Sequence, residues 1–337
     1  MRALRLSLIL VVCAACGDPS ASREPAATAV APPSRPGRAH VIRVELPGVR
    51  DLSDIPRLMA IEALEKHGYV VETSEYRDNP IALQALVDGQ LDFASLPFPQ
   101  TLAAIQQGAA IAAIIEGGVL SRTLIVAPDI MTCADLDGRE VSTPNLVSAQ
   151  VLSVRRFFAI RCPQAKIDLV VIAGVENRLA AFLTRRTAGA ILDATSQLKL
   201  ERTPDAPFNV LAVLGIEFPG VSGSTIVASR TFVRTYPETA RDVVRELLLA
   251  IRRIQDPATL SREMQARLGL GRDEADAAAR LSLQQQMWSV NGGLSDAVVQ
   301  ANIDFSVEAG VIQPGLAPSA VVDGSFIEAA LEEVGWQ

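Results

Sequence analysis

Four cysteines, two histidines and a set of serines, aspartates and glycines near expected strand ends are the residues here whose types could do chemistry. Their spacing removes most of the possibilities. His40 and His67 are the only histidines, and no Cys/His cluster has metal-site spacing. No G-x-S-x-G turn presents a serine nucleophile, and no Walker-type glycine loop is available for a nucleotide phosphate. We therefore expect no catalytic residue, no metal and no cofactor. Cys133 precedes a strand expected at 140–143, and Cys162 ends the helix expected after it, at about 148–160. A strand and its return helix bring those two ends to one edge. In an oxidising compartment the pair can form a disulfide; two buried free thiols are the alternative.

What remains is binding. Ligands sit beyond the carboxyl ends of parallel strands. In the first half of the chain that rule selects Asp51 and Ser53, beside Arg50 and Leu52. It also selects Leu96, Pro97 and Phe98, and then Gly118, Leu120 and Ser121. In the second half it selects Asn145 and Ser148 at a helix start, Asp193 and Thr195 at a strand end, and Ser222 in a returning segment. A helix start offers free N–H groups to an anionic or acceptor-bearing ligand. Each residue has a structural alternative: Ser53, Asn145 and Ser148 as helix caps, Phe98 as core. Arg178 faces either the site or solvent, solvent being commoner for arginine. This lining holds few fixed charges, which points to a mostly apolar or neutral small organic compound rather than a bare inorganic anion. Arg50 or Arg178 in the site would reverse that.

Alternating periodicity supplies the elements that must hold these residues. Strands are expected at 41–46, 69–75, 92–95 and 111–116, separated by helices at 56–67, 80–88 and 99–107. This β-α-β order implies a largely parallel sheet with helices on its faces. A second unit repeats the alternation, with strands at 140–143, 166–172, 188–192 and 208–214 and helices from about 148 and at 178–184. Two similar apolar segments, 123–128 and 224–229, lead out of the first unit and back. Two crossings make two α/β lobes with a cleft between them; two strands in one sheet is the alternative. Residues 41–121 and 225–337 then form lobe I, and 122–224 form lobe II, with crossings near 119–127 and 219–229. The helices after residue 231 are expected to wrap back on lobe I, because amphipathic helices need a partner surface.

Composition bounds the class. About 297 residues follow His40, enough for two lobes. A net charge of −7 without a basic stripe argues against a nucleic-acid partner. At the start, Arg2 and Arg5 precede a short apolar run, 6–12, far below the ~20 residues of a membrane span. This reads as an export signal over 1–16. Ala14-Ala15-Cys16 resembles the bacterial lipobox, although Cys13 stands where leucine is usual. That resemblance implies lipidation at Cys16; a soluble exported protein cut nearby is the alternative. Asp18 resembles an inner-membrane retention signal. Residues 17–40, rich in Ala, Pro and Ser, read as a flexible tether.

Several segments together resemble one family. Ala82-Leu83-Gln84-Ala85-Leu86-Val87-Asp88-Gly89-Gln90-Leu91-Asp92-Phe93 resembles a signature of periplasmic solute-binding proteins of ABC importers. The relevant group binds sulfonates, nitrate and thiamine-pyrimidine precursors. Asp135 to Val141, Ala188 to Ala194, Phe232 to Pro237, and Trp288 to Gly293 with Gly310 to Ile312 resemble further family segments, in the right order. The resemblance covers about residues 40–335. It implies the type II two-lobed fold joined by a two-strand hinge, a small-molecule solute and an inner-membrane ABC permease as partner; with the export signal and lipobox, a lipid-anchored periplasmic location and a monomer are expected. The cysteine-rich iron-binding run of related pyrimidine synthases is absent, which disfavours an enzyme of the same fold. A sensing lipoprotein for a signalling partner is the other alternative.

Overall fold

Two five-stranded sheets carry the structure, each flanked by helices. The computed structural model describes residues 39, 41–48 and 50–337. The expected signal segment, most of the tether, and Cys16 lie outside the described residues. In chain order the first elements are β1 (Val41–Pro47), α1 (Ile55–Lys66), β2 (Val70–Tyr76), α2 (Asn79–Val87), β3 (Phe93–Pro97), α3 (Phe98–Gln106), β4 (Ile111–Val119) and β5 (Thr123–Val126). Then come β6 (Glu140–Thr143), α4 (Ala149–Arg161), β7 (Asp168–Val171), α5 (Val175–Leu183), β8 (Gly189–Leu192), α6 (Ala194–Glu201), β9 (Asn209–Val213), α7 (Leu214–Glu217) and β10 (Ser222–Ser229). The rest is helical: α8 (Arg230–Thr235), α9 (Pro237–Arg253), α10 (Pro257–Leu268), α11 (Arg272–Gln284), α12 (Asp296–Glu308), α13 (Pro318–Val321) and α14 (Ser325–Val334).

The first sheet runs β2-β1-β3-β10-β4 and the second β7-β6-β8-β5-β9. Neither is as parallel as the alternation of elements implies. β10 pairs antiparallel with both β3 and β4, and β5 pairs antiparallel with both β8 and β9. The reason is mechanical. A strand arriving from the other lobe enters at the cleft end of the sheet, opposite to strands that finish there. In each sheet the crossing strand is therefore the reversed one.

The crossings run side by side. Leu120 N–H donates to Val221 O (3.1 Å), and Leu214 N–H donates to Arg122 O (2.8 Å). Gly215 lets them approach so closely, since a Cβ there would lie 2.5 Å from Leu120 O. The C-terminal helices pack back onto the first sheet. Leu247, Leu248 and Ile251 of α9 share one core cluster with Ile42, Phe93 and Ile115. A separate cluster around Val141, Val151, Phe157 and Ile191 fills the second lobe, with Phe305 of α12 packed into it. Asn302, also on α12, accepts from Ser222 N–H (2.9 Å) and donates to Gly220 O (2.9 Å), fastening the return crossing. Cys133 and Cys162 are disulfide-bonded, with Cα atoms 5.9 Å apart. The bond ties the 3-10 turn before β6 to the end of α4.

Candidate functional site

The carboxyl ends of β1, β3 and β4 and the loop that follows β6 surround a cavity of about 230 Å3. β1 contributes Glu45 and Pro47, β3 contributes Ser95, Leu96 and Pro97, and β4 contributes Gly118 and Val119. The crossing adds Leu120, Ser121 and Arg122; from lobe II come Pro144, Asn145, Ser148 and Gln150. Nine of the thirteen expected binding residues line it: Asp51, Ser53, Leu96, Pro97, Gly118, Leu120, Ser121, Asn145 and Ser148.

Four do not, each for a structural reason. Phe98 is fully buried in the lobe I core, where it starts α3. Asp193 turns its carboxylate to the N–H of Ser196 (2.8 Å), capping α6. Periodicity predicts no helix over Ala194–Glu201. Thr195 lies buried in the first turn of α6. Ser222 donates its hydroxyl to Glu116 Oε1 (2.5 Å). Glu116 also accepts from the Ser289 hydroxyl, and its burial pushes its pKa up against the pull of those two donors. This clasp joins β4, the return crossing and the segment before α12. Gly293 makes room for it, because a Cβ there would strike the Glu116 carboxylate.

The expectation of few fixed charges is overturned. Glu45, Asp51, Asp54, Arg57 and Arg122 all line the cavity. Arg57 reaches up from α1, donating to Glu45 Oε2 and to Asp54 Oδ1, both at 2.5 Å. All three side chains are less than a tenth exposed. Ser95 N–H also donates to Glu45 Oε2 (3.1 Å). Asp51 and Asp54 form a reciprocal capping box: Asp51 Oδ1 accepts from Ser53 N–H (2.8 Å), and Asp54 Oδ2 accepts from Asp51 N–H (2.8 Å). Arg122 donates to Asp51 Oδ2 (3.2 Å).

These contacts set the local electrostatics. Burial pushes the Asp54 carboxyl up to about 6, outweighing the attraction of Arg57, while the Asp51 charge adds to the rise. Burial works against the Arg57 charge too, yet Glu45 and Asp54 more than offset it and hold its pKa above the ordinary value. Arg178 is buried, not solvent-facing. Its guanidinium donates to Ile191 O (3.0 Å) and Ile172 O (3.1 Å) at strand ends of lobe II. Burial and then Arg122 push it down to about 10, opposed by Asp193 and Asp51. Arg50 is instead half-exposed and pairs with Glu75 (3.3 Å).

Across the cavity, α4 presents its N-terminus. Asn145 Oδ1 accepts from Val147 N–H (3.0 Å) and Ser148 N–H (2.7 Å) in the loop before it, and among the described residues no side chain caps α4 itself. Ser148 is 5% exposed, and its hydroxyl has no partner among the described residues. Among the lining residues that sequence reasoning missed are Glu45, Asp54, Arg57, Asn79, Arg122, Gln150 and Met287. One signal was available: Glu45 interrupts an otherwise apolar strand end beside a binding loop. Among the described residues, no group of three or more His, Cys, Asp or Glu side chains is placed to hold a metal ion.

Comparison with known proteins follows the same lines. The NMT1/THI5-like family model matches residues 64–258, more than half of the chain. No curated protein matches. Among solved structures, the ligand-binding component of an ABC-type import system from Staphylococcus aureus, with zinc bound, superposes with a TM-score of 0.72 at 15% identity. That match covers 87% of this chain and 99% of the other. The nitrate-binding protein NrtA from Synechocystis PCC 6803 gives 0.69 at 12% identity, covering 88% and 89%. The alkanesulfonate-binding protein SsuA from Xanthomonas axonopodis pv. citri, bound to MOPS, gives 0.65 at 18% identity, covering 84% and 98%. At these identities the likeness shows the fold alone, the two-lobed α/β fold that periplasmic binding proteins have.

Proposed function

Because the chain belongs to the NMT1/THI5-like family, we propose that it is an extracytoplasmic receptor that closes on a small organic solute and hands it to an ABC-type importer. One observation carries this reading: the cavity is walled by residues of both lobes and floored by the crossing between them. Closure of the lobes buries a solute there and couples its binding to one conformation. The charged groups of the cavity are mostly paired with one another, as suits a site that holds and releases cargo. Our reading of the chain is a binding protein rather than an enzyme. The similar structures named above, all of binding proteins, support this direction.

The rest of the assignment follows from the sequence. Residues 1–16 export the chain, Cys16 carries the lipid, and 17–40 tether lobe I (41–121 and 225–337) and lobe II (122–224) at the outer face of the inner membrane. The partner is the permease in that membrane; the receptor acts as a monomer and binds no nucleic acid. Mass spectrometry of small molecules released on denaturing protein from its native host tests the proposal. One near-stoichiometric organic solute is expected. Failure of any host metabolite to bind, in a screen of the low-mass pool, would refute it.

A further inference from the structure

The two walls of the cavity differ in polarity. On the lobe I side stand three carboxylates, Glu45, Asp51 and Asp54. Asp51 spends one oxygen on Ser53 and the other on Arg122. Asp54 spends its two on Arg57 and the Asp51 N–H. Glu45 differs: Oε2 takes both Arg57 and the Ser95 N–H, while Oε1 accepts no hydrogen bond from the described residues. A carboxylate has about four acceptor sites, so this oxygen keeps acceptor capacity for a solute in the cavity that Glu45 lines. Glu45 is held rigid by Arg57, so its free oxygen is fixed in place.

On the lobe II side, among the described residues, no carboxylate lines the cavity; its polar groups are the amides of Asn145 and Gln150, the latter with an unpartnered Oε1, and a serine hydroxyl. The Ser148 hydroxyl, 95% buried by residue and without a partner among the described residues, stands at the start of the thirteen-residue helix α4. That helix end favours negative charge. Arg122, paired with Asp51, lies between the two walls, and Arg178 lies close enough to Arg122 for the two charges to repel. Leu96, Leu120 and Met287 supply apolar surface within the same lining.

We infer that the solute is bipolar: a protonated amine or similar donor at one end, seated on Glu45, and an anionic group at the other, seated on Ser148 and the α4 N-terminus. This rests on the cavity being the solute site of the proposed receptor. Glu45 is then the specificity-determining residue. It selects for the donor end, and Ser148 serves the anionic end.

Calorimetric titration of the full chain with 3-aminopropane-1-sulfonate, propane-1-sulfonate and propylamine tests it. The aminosulfonate should bind at least about tenfold tighter than the plain sulfonate, as expected of a hydrogen bond to a charged group. Glu45→Gln should erase that preference, reducing the ratio of the two sulfonate affinities to about one. Ser148→Ala, which leaves the Arg57 cluster intact, should weaken both sulfonates alike. Equal affinity of the wild-type protein for the two sulfonates would overturn the inference, and that comparison needs no variant. So would a Glu45→Gln protein that loses both ligands equally, the behaviour of a merely structural carboxylate. Binding of none of the three probes would overturn it too. The receptor reading would survive that result, since it is judged by the solute released from native protein.

Discussion

Asp54 is the titrating group of the cavity. Burial holds its folded pKa at about 6, well above the ordinary value near 3.8. Between those two values the folded protein binds more protons than the unfolded chain, so its stability falls as pH rises. The contribution of Asp54 is therefore complete below about pH 4 and lost as pH passes through about 6. Asp54→Asn should remove this dependence. The stability difference between variant and wild type, from urea midpoints, should shift in favour of the variant between pH 4 and 6.5; a difference flat across that window would contradict the assignment. The same cluster marks the limit of legibility at this scale. Strand-end logic found Asp51, Ser53 and Ser121, because those residues sit where chain direction alone puts them. It missed Arg57, whose function depends on how deep α1 packs, and sequence carries no direct record of depth. Phe98 failed for the same reason: an aromatic beside a strand end points inward or outward according to packing.

At the scale of elements, the crossings and the disulfide are the constraints most open to test. Gly215→Ala pushes a methyl group against Leu120 O at 2.5 Å, and neither backbone can yield without separating the crossings. A loss of about 1–3 kcal/mol is expected, the usual range for overpacking, and chemical denaturation measures it. An unchanged midpoint would mean that the crossings are loosely held. The Cys133–Cys162 bond spans 29 residues, for which loop-closure entropy gives about 3–4 kcal/mol. Reduction, or Cys133→Ser with Cys162→Ser, should lower stability by that order, and unfolded mature protein should label at neither position before reduction. Most helices and strands were legible from periodicity. The antiparallel placement of β10 and β5 was not, because alternation reports which elements exist and not which edges they join. The helix α6 was hidden behind Asp193-Ala194-Thr195, which reads equally as a strand end.

For the whole molecule, two lobes and two crossings were legible because the chain repeats one pattern twice between similar apolar segments. The polarity of the cleft was not, since it comes from residues brought together from β1, α1, the crossing and α4. At this scale the account ties location to function. Cys16→Ser should move the protein from the membrane fraction to the soluble periplasm, with folding unaffected; continued membrane association would remove the lipid anchor from the account. The central claim is closure of two lobes on a solute. Small-angle scattering of solute-stripped protein, with and without the low-mass solutes of its native host, tests it most directly. The account predicts a smaller radius of gyration when solute is added. A radius unchanged while solute is demonstrably bound would contradict it.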